Sequence, residues 1–248
     1  MSDVILIRQM LARMEEEKAL HPDKPLELCG VIVEREHGNE LVECANVSTE
    51  PDQQFRIGAV EWARLHNSEK VVAVWHTHPR ATAQPTQADL VQLEPSGLPW
   101  HIVGADGSHS LTLPTGYVAP YVGREFYHGI LDCYALCRDW YSREMGIELP
   151  DVERADDWWS NGGNMYVEQF TQHGFREVSP EVNFNDLKRG DGLLMQMASR
   201  VPNHGAIYLG DGTILHHRHG RLSEIVPYTF GSDWFKRTTH HLRHESQL

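Results

Sequence analysis

The run Val71-Val72-Ala73-Val74-Trp75 ends in His76-Thr77-His78-Pro79, and that ending constrains the fold more than any other stretch. Consecutive apolar residues rich in β-branched side chains predict a buried strand. Alternation along a strand then sends both imidazoles out on one face. Thr86 and Asp89 follow at the start of a predicted helix, and Glu27 lies upstream within Pro25-Leu26-Glu27-Leu28-Cys29-Gly30. A strand buried along its length but polar at its end is equipped to build a site there.

The rest of the chain is organised around two such regions. Val4, Leu6, Ile7, Met10, Leu11, Met14 and Leu20 recur at helical spacing over residues 3 to 20, with Ser2 or Asp3 as a cap and Pro22 and Pro25 as a stop. Cys29–Val33 reads as a strand, Glu40–Cys44 as its hairpin partner, Gly58–Ser68 as a helix and Trp100–Gly104 as another strand. Turn residues then crowd Pro114 to Pro120, and the pattern restarts with a helix at Asp132. Strands are expected at Gly192–Met197, Ala206–Leu209 and Thr213–His216, the last two joined by the hairpin signal Asp211-Gly212. Helices and strands mixed within each half predict α+β architecture twice, residues 1–115 and 116–248.

Composition excludes several classes. A length of 248 residues accommodates two domains. The formal net charge of -13 argues against a nucleic-acid-binding surface. Met1 to Arg8 lacks a basic n-region and a long apolar stretch, so no signal peptide is expected. No run approaches the roughly 20 apolar residues of a membrane span. Cys29, Cys44, Cys133 and Cys137 form no CxxC pair. With Cys133 set aside as a nucleophile, the other three read as buried small apolar residues.

His76, His78 and Asp89 offer two imidazoles and a carboxylate. Three such ligands leave zinc a fourth position for water, the arrangement of a catalytic site. Glu27 is the candidate carboxylate for proton transfer, and the Thr86 hydroxyl a candidate donor to a tetrahedral intermediate. His-x-His, seven residues, Thr, two residues, Asp resembles the JAMM/MPN metallopeptidases, which carry serine where this chain has Thr86. The resemblance covers roughly residues 1 to 113 and includes Glu27. It implies an MPN/JAMM-like α/β sandwich with zinc as cofactor.

The second region pairs Asp132-Cys133 with His204 and His216 far downstream. Cys133 falls in the first turn of its helix, where backbone amides favour a thiolate. A histidine base and a polar orienter must converge on it, and a hairpin at Asp211-Gly212 places His204 beside His216. This half, to the mid-220s, resembles the NlpC-type cysteine peptidases in three motifs. Asp132-Cys133 opens a helix, Lys188-Arg189-Gly190-Asp191-Gly192 precedes a strand, and His204-Gly-Ala-Ile-Tyr-Leu-Gly runs on to His216. The resemblance implies a papain-like domain that cleaves peptidoglycan stem peptides, with His216 preferred over its neighbour His217. Tyr121, twelve residues before Cys133, matches a family tyrosine that contacts the nucleophile or oxyanion.

Other features read as structural. His101, His109, His128, His219, His240, His241 and His244 show no ligand spacing and are expected to be solvated. Glu15-Glu16-Glu17 reads as a solvated helix face, and Asp156-Asp157-Trp158-Trp159 as a loop or helix start with a peptide groove as the alternative. The order of the two halves resembles the tail-assembly proteins of long-tailed bacteriophages, the protein K type. That resemblance implies a bifunctional peptidase whose partners are stem peptides or a tail protein as substrate, and other tail-tip proteins. It implies action in the host cytoplasm during assembly or at the virion tail tip. The competing reading is a non-catalytic assembly factor that uses both folds as binding modules. A cellular enzyme processing ubiquitin-like proteins is a third reading, and it leaves the cysteine half unexplained.

Overall fold

The computed structural model describes residues 3–154 and 158–248. Ser2, Asp156 and Asp157 therefore lie outside the described residues. The chain divides into two compact units, Met1–Val118 and Ala119–Leu248, each of mixed helix and sheet.

In the first unit α1 (Asp3–Leu20) is followed by β1 (Cys29–Arg35), β2 (Gly38–Cys44), α2 (Ala59–Ser68) and β3 (Val71–His78). Then come α3 (Gln87–Ser96), β4 (Trp100–Gly104) and β5 (His109–Thr112). The sheet order is β2-β1-β3-β4-β5, antiparallel except where β3 meets β4. A parallel pair needs a crossover, and α3 supplies it. Leu6 and Met10 of α1 pack on Ile32, Ala73, Trp75 and Val103. The opposite face buries Val31, Val33 and Val74 against Phe55, Leu65 and Leu93. Alternation puts His76 and His78 on this second face, in step with Val74. Gly30 lets β1 and β2 close up beneath Trp75, because a Cβ there would meet Val42 O at 2.0 Å and Trp75 Nε1 at 2.7 Å.

One expectation fails in α1. Glu17 is buried, and its Oε1 accepts the Leu26 N–H at 3.1 Å and pairs with His21 Nδ1 at 2.7 Å. The chain doubles back after the prolines, and its backbone needs an acceptor where water is excluded.

The second unit contains α4 (Cys133–Met145), α5 (Met165–Gln172), β6 (Phe175–Glu177), β7 (Gly192–Met195) and β8 (His204–Tyr208). It finishes with β9 (Thr213–His216), β10 (Glu224–Pro227), α6 (Asp233–Arg237) and β11 (Thr238–His244). Its antiparallel sheet runs β10-β9-β8-β7-β11-β6. Leu136, Cys137 and Tyr141 of α4 pack on Leu194, Ile207 and Leu215, joined by Phe170 of α5. Tyr228 covers the other face over Leu193, Ala206 and Ile214.

The fold does not stop in the mid-220s, because β11 inserts between β7 and β6. Several histidines read as solvated are buried, His241 by this insertion. His241 is fully buried, with Nε2 2.6 Å from Asp191 Oδ2, while Arg243 binds both oxygens of that carboxylate at 2.7 and 2.8 Å. His101 and His128 are buried as well, the first 3.0 Å from His109 and the second 3.0 Å from Arg154 O. Among the described residues no helix is long and apolar enough to cross a membrane.

Candidate functional site

In the first unit the site forms where β3 ends and α3 begins. Thr86 caps α3: its hydroxyl accepts the Asp89 N–H at 3.1 Å, and Asp89 Oδ2 accepts the Thr86 N–H at 2.7 Å. This capping box turns the Asp89 carboxylate back toward β3. His76 Nε2 stands 3.2 Å from Asp89 Oδ1, His78 Nε2 3.3 Å from Oδ2, and the two Nε2 atoms 3.0 Å apart. All three side chains are buried, and a ligand atom from each lies within 4.8 Å of the others.

The donor set fits a zinc ion. His78 Nδ1 sits 2.9 Å from the Thr82 carbonyl, which can only accept, so that nitrogen carries a proton and Nε2 is the atom that faces the cluster. Burial opposes the charge on this ring, but Asp89 raises it to about 8, and a bound cation would displace the Nε2 proton. A partner on the second nitrogen is the usual support of a metal-bound histidine. His76 Nδ1 is buried without a hydrogen-bond partner, and the ring is held instead by stacking on Phe55, centroid distance 4.5 Å. Burial opposes the charge on Asp89, but His76 and His78 outweigh it and hold the carboxyl well below its ordinary range. A carboxylate anion beside two imidazoles is a suitable seat for a divalent cation. Phe55 and Trp100, both packed on His76, also line a cavity of about 260 Å³ with Ile57 and Trp62.

Glu27 reaches this site through the backbone. Leu28 N–H donates to Thr77 Oγ1 at 3.0 Å and Leu28 O accepts the Thr77 N–H at 3.0 Å, which ties the segment to the residue between the two histidines. Asn46 Nδ2 holds Glu27 O at 2.9 Å from the other side. Burial pushes the Glu27 carboxyl up to about 8; His78 opposes this, and Asp89 and Asp52 add to it. Asp52 escaped the sequence reading, since no motif marks a buried acid that pairs with Lys24 and Arg80. The Thr86 hydroxyl, expected to face a tetrahedral intermediate, donates here to Asp89 Oδ2 at 2.8 Å.

The second unit brings two of its predicted residues, His204 and His216, into contact. His204 Nε2 lies 3.1 Å from His216 Nδ1, and His216 Nε2 lies 3.6 Å from Glu224 Oε1. His217 turns to the Arg221 carbonyl instead, 3.1 Å away. Burial lowers His204 to about 3 and His216 to about 4, so both rings rest neutral. Cys133 opens α4 beneath its N-cap Asp132, which accepts from Ala135 N at 2.9 Å and Gly129 N at 3.0 Å. The Asp132 charge is balanced by the buried Arg154, Nε to Oδ2 2.7 Å.

The Cys133 thiol does not hydrogen-bond to His204. Among the described residues its side-chain partner is Tyr166 Oη at 3.3 Å, with the Gly205 N–H also on the sulfur side. The helix terminus does not win either. Burial, reinforced by Asp132, pushes the thiol up to about 11 against the lowering effects of Tyr166, Gly205 and Arg154. Tyr121 is far from the sulfur: its hydroxyl donates to Glu144 Oε1 at 3.3 Å and Arg143 lies over its ring. Glu144 follows Cys133 by eleven positions in the sequence, about 16 Å along a helix.

Known families match the sequence of both units. The profile of prokaryotic homologs of the JAB domain matches residues 6–114, and that of the NlpC/P60 family matches residues 122–243. "Tail tip assembly protein K" of Escherichia phage N15 is 34% identical over 224 residues, 89% of each chain. The protein of the same name from Escherichia phage lambda is 38% identical over 187 residues, 75% of this chain and 88% of that one. The chain belongs to the tail tip assembly protein K family. Its JAB-like and NlpC/P60 halves are peptidase folds, and a buried metal-ligand cluster lies in the former. An NlpC/P60 family protein from Bacillus cereus is 16% identical with a TM-score of 0.31; the match covers 91% of this chain and 66% of that structure.

Proposed function

We propose that the chain is a bifunctional tail-tip assembly peptidase, with a zinc-dependent unit in residues 1–115 and a thiol-dependent unit in residues 116–248. The observation that carries the reading is the convergence of His76, His78 and Asp89 within 4.8 Å, with the Glu27 carboxyl beside them. A binding module has no use for two buried imidazoles gathered on a buried carboxylate.

In the zinc unit the substrate is a peptide or isopeptide bond in a tail component. His76, His78 and Asp89 would hold the metal, which when bound supplies Lewis acidity to a carbonyl and to water. Thr86 keeps Asp89 oriented. Glu27, as a carboxylate, would take the proton of the attacking water and pass it to the departing amine. The burial that raises its carboxyl makes it the stronger base for the first transfer.

In the thiol unit the substrate is a peptidoglycan stem peptide. The Cys133 proton passes to His204 Nδ1 once substrate draws the two together, with Nε2–H of His204 donating to His216. Sulfur attacks the carbonyl carbon and the C=O electron pair moves onto oxygen. Collapse of that intermediate breaks the C–N bond, and the amine leaves with the proton from His204. Water then hydrolyses the thioester, which frees the new carboxyl and restores the thiol. Catalytic hydrogen bonds commonly tighten only when substrate is bound. The protein works in the host cytoplasm during assembly or at the virion tail tip, alongside other tail-tip proteins.

A second reading, a non-catalytic assembly factor, is favoured by one observation: the thiol pairs with Tyr166 rather than with His204. Complementation of a tail-assembly defect separates the two. The peptidase reading expects Cys133→Ala, His78→Ala or the double variant to lower the yield of infectious particles. Full rescue by the double variant would establish the assembly factor.

A further inference from the structure

We infer that Tyr166 is a catalytic residue of the thiol unit, donating its hydroxyl proton in a hydrogen bond to the Cys133 sulfur once the thiol has ionised. The inference rests on the peptidase reading of this unit and assigns a residue that reading does not contain.

Tyr166 Oη is 3.3 Å from Cys133 Sγ, and both side chains are buried. The ring is fixed on two sides, stacked on Tyr134 at 5.8 Å and tilted against Trp158 at 4.8 Å. Among the described residues Tyr166 is the hydroxyl that contacts the sulfur, while Tyr121 is turned to Glu144. At rest the thiol S–H can donate to the phenol oxygen. When that proton passes to His204, the direction reverses: the phenol O–H turns to the sulfur anion and stays covalently intact. No atom is gained or lost in the exchange. A charge-assisted hydrogen bond in a water-poor site is stronger than the neutral one it replaces, so Tyr166 favours the thiolate more than the thiol. Arg154 supports the same state from farther off, because it offsets the Asp132 charge that opposes ionisation.

The test is the pH dependence of Cys133 alkylation by iodoacetamide in the full chain, followed by peptide mass spectrometry. It needs no substrate. Phenylalanine preserves the packing and removes the hydroxyl. Tyr166→Phe is expected to raise the midpoint of the alkylation profile by about one pH unit, slowing the reaction roughly tenfold below it. Tyr121→Phe should leave the midpoint where it is in the wild type. An unmoved midpoint in folded Tyr166→Phe, faster alkylation at every pH, or a shift confined to Tyr121→Phe would overturn the inference. Stem-peptide digestion run in parallel separates the two claims. A shifted midpoint with no cleavage by wild type upholds the Tyr166 contact and defeats the peptidase reading. Cleavage with an unmoved midpoint does the reverse.

Discussion

His204 Nε2 sits 3.1 Å from His216 Nδ1, and this one contact couples the tautomers of the two rings. If Nε2–H of His204 donates, Nδ1 of His204 carries the lone pair a general base requires. His216 must then carry its own proton on Nε2, which faces Glu224 at 3.6 Å. The orientation is set by the antiparallel pairing of β8 with β9, in which Ala206 lies opposite His216.

From this follows the expected behaviour of His216→Ala. The variant should fold, keep the His204 side chain, and lose kcat by roughly 10²- to 10⁴-fold with little change in KM, because orientation of the base is lost rather than substrate binding. Steady-state kinetics on a stem peptide checks it. An unchanged kcat would remove His216 from the reaction.

Three buried imidazoles also make stability depend on pH. Burial lowers His204 to about 3 and both His216 and His217 to about 4, whereas in the unfolded chain they titrate near their ordinary value of about 6.5. Between those limits the unfolded state binds more protons. The stability they contribute is therefore complete above about pH 6.5 and is lost as pH falls toward 4 and then 3. Glu27 and His78, both raised to about 8, act in the opposite direction, and the three lowered imidazoles outweigh them over this interval. Thermal unfolding followed by circular dichroism should show Tm falling between pH 6 and pH 4.5, with a loss on the order of a few kcal/mol. A flat or rising Tm over that interval would contradict the neutral state of these rings.

The metal cluster predicts stoichiometry. Equilibrium dialysis should load one zinc per chain in the wild type and none in His78→Ala or Asp89→Ala. Thr86→Val removes the hydroxyl that caps α3 and holds Asp89, so zinc affinity should weaken roughly 10- to 100-fold. Thr86→Ser should retain wild-type binding. Equal zinc content across the four variants would show that the cluster is not the site.

Arg154 and Asp132 are both buried, and they pair at 2.7 Å. Arg154→Met leaves an uncompensated carboxylate at the N-cap of α4, a loss of about 3–5 kcal/mol in denaturant unfolding. Adding Asp132→Asn should recover part of it. Additive losses in the double variant would mean that the pair is not coupled.

How far these sites could be read from sequence depends on how local their geometry is. His76 and His78 were legible because alternation on a strand forces them onto one face, and Asp89 because a capping box three residues long aims it. His204 and His216 were legible because Asp211-Gly212 closes a hairpin between them. Tyr166, Arg154 and Glu224 were not, since each meets its partner through tertiary packing that no short spacing encodes. Tyr121 shows the converse: a motif spacing located the residue but not its side-chain partner, and Arg143 and Glu144 supplied one at the wrong end of the helix. His241 read as a solvated tail residue because nothing in its neighbourhood signals that β11 is an interior strand.

The most direct measurement is digestion of purified diaminopimelate-type muropeptides by wild type and by Cys133→Ala, resolved by mass spectrometry. The account predicts a stem-peptide cut by the wild type that disappears in the variant. No cut by correctly folded wild type, or the same cut by Cys133→Ala, would contradict it.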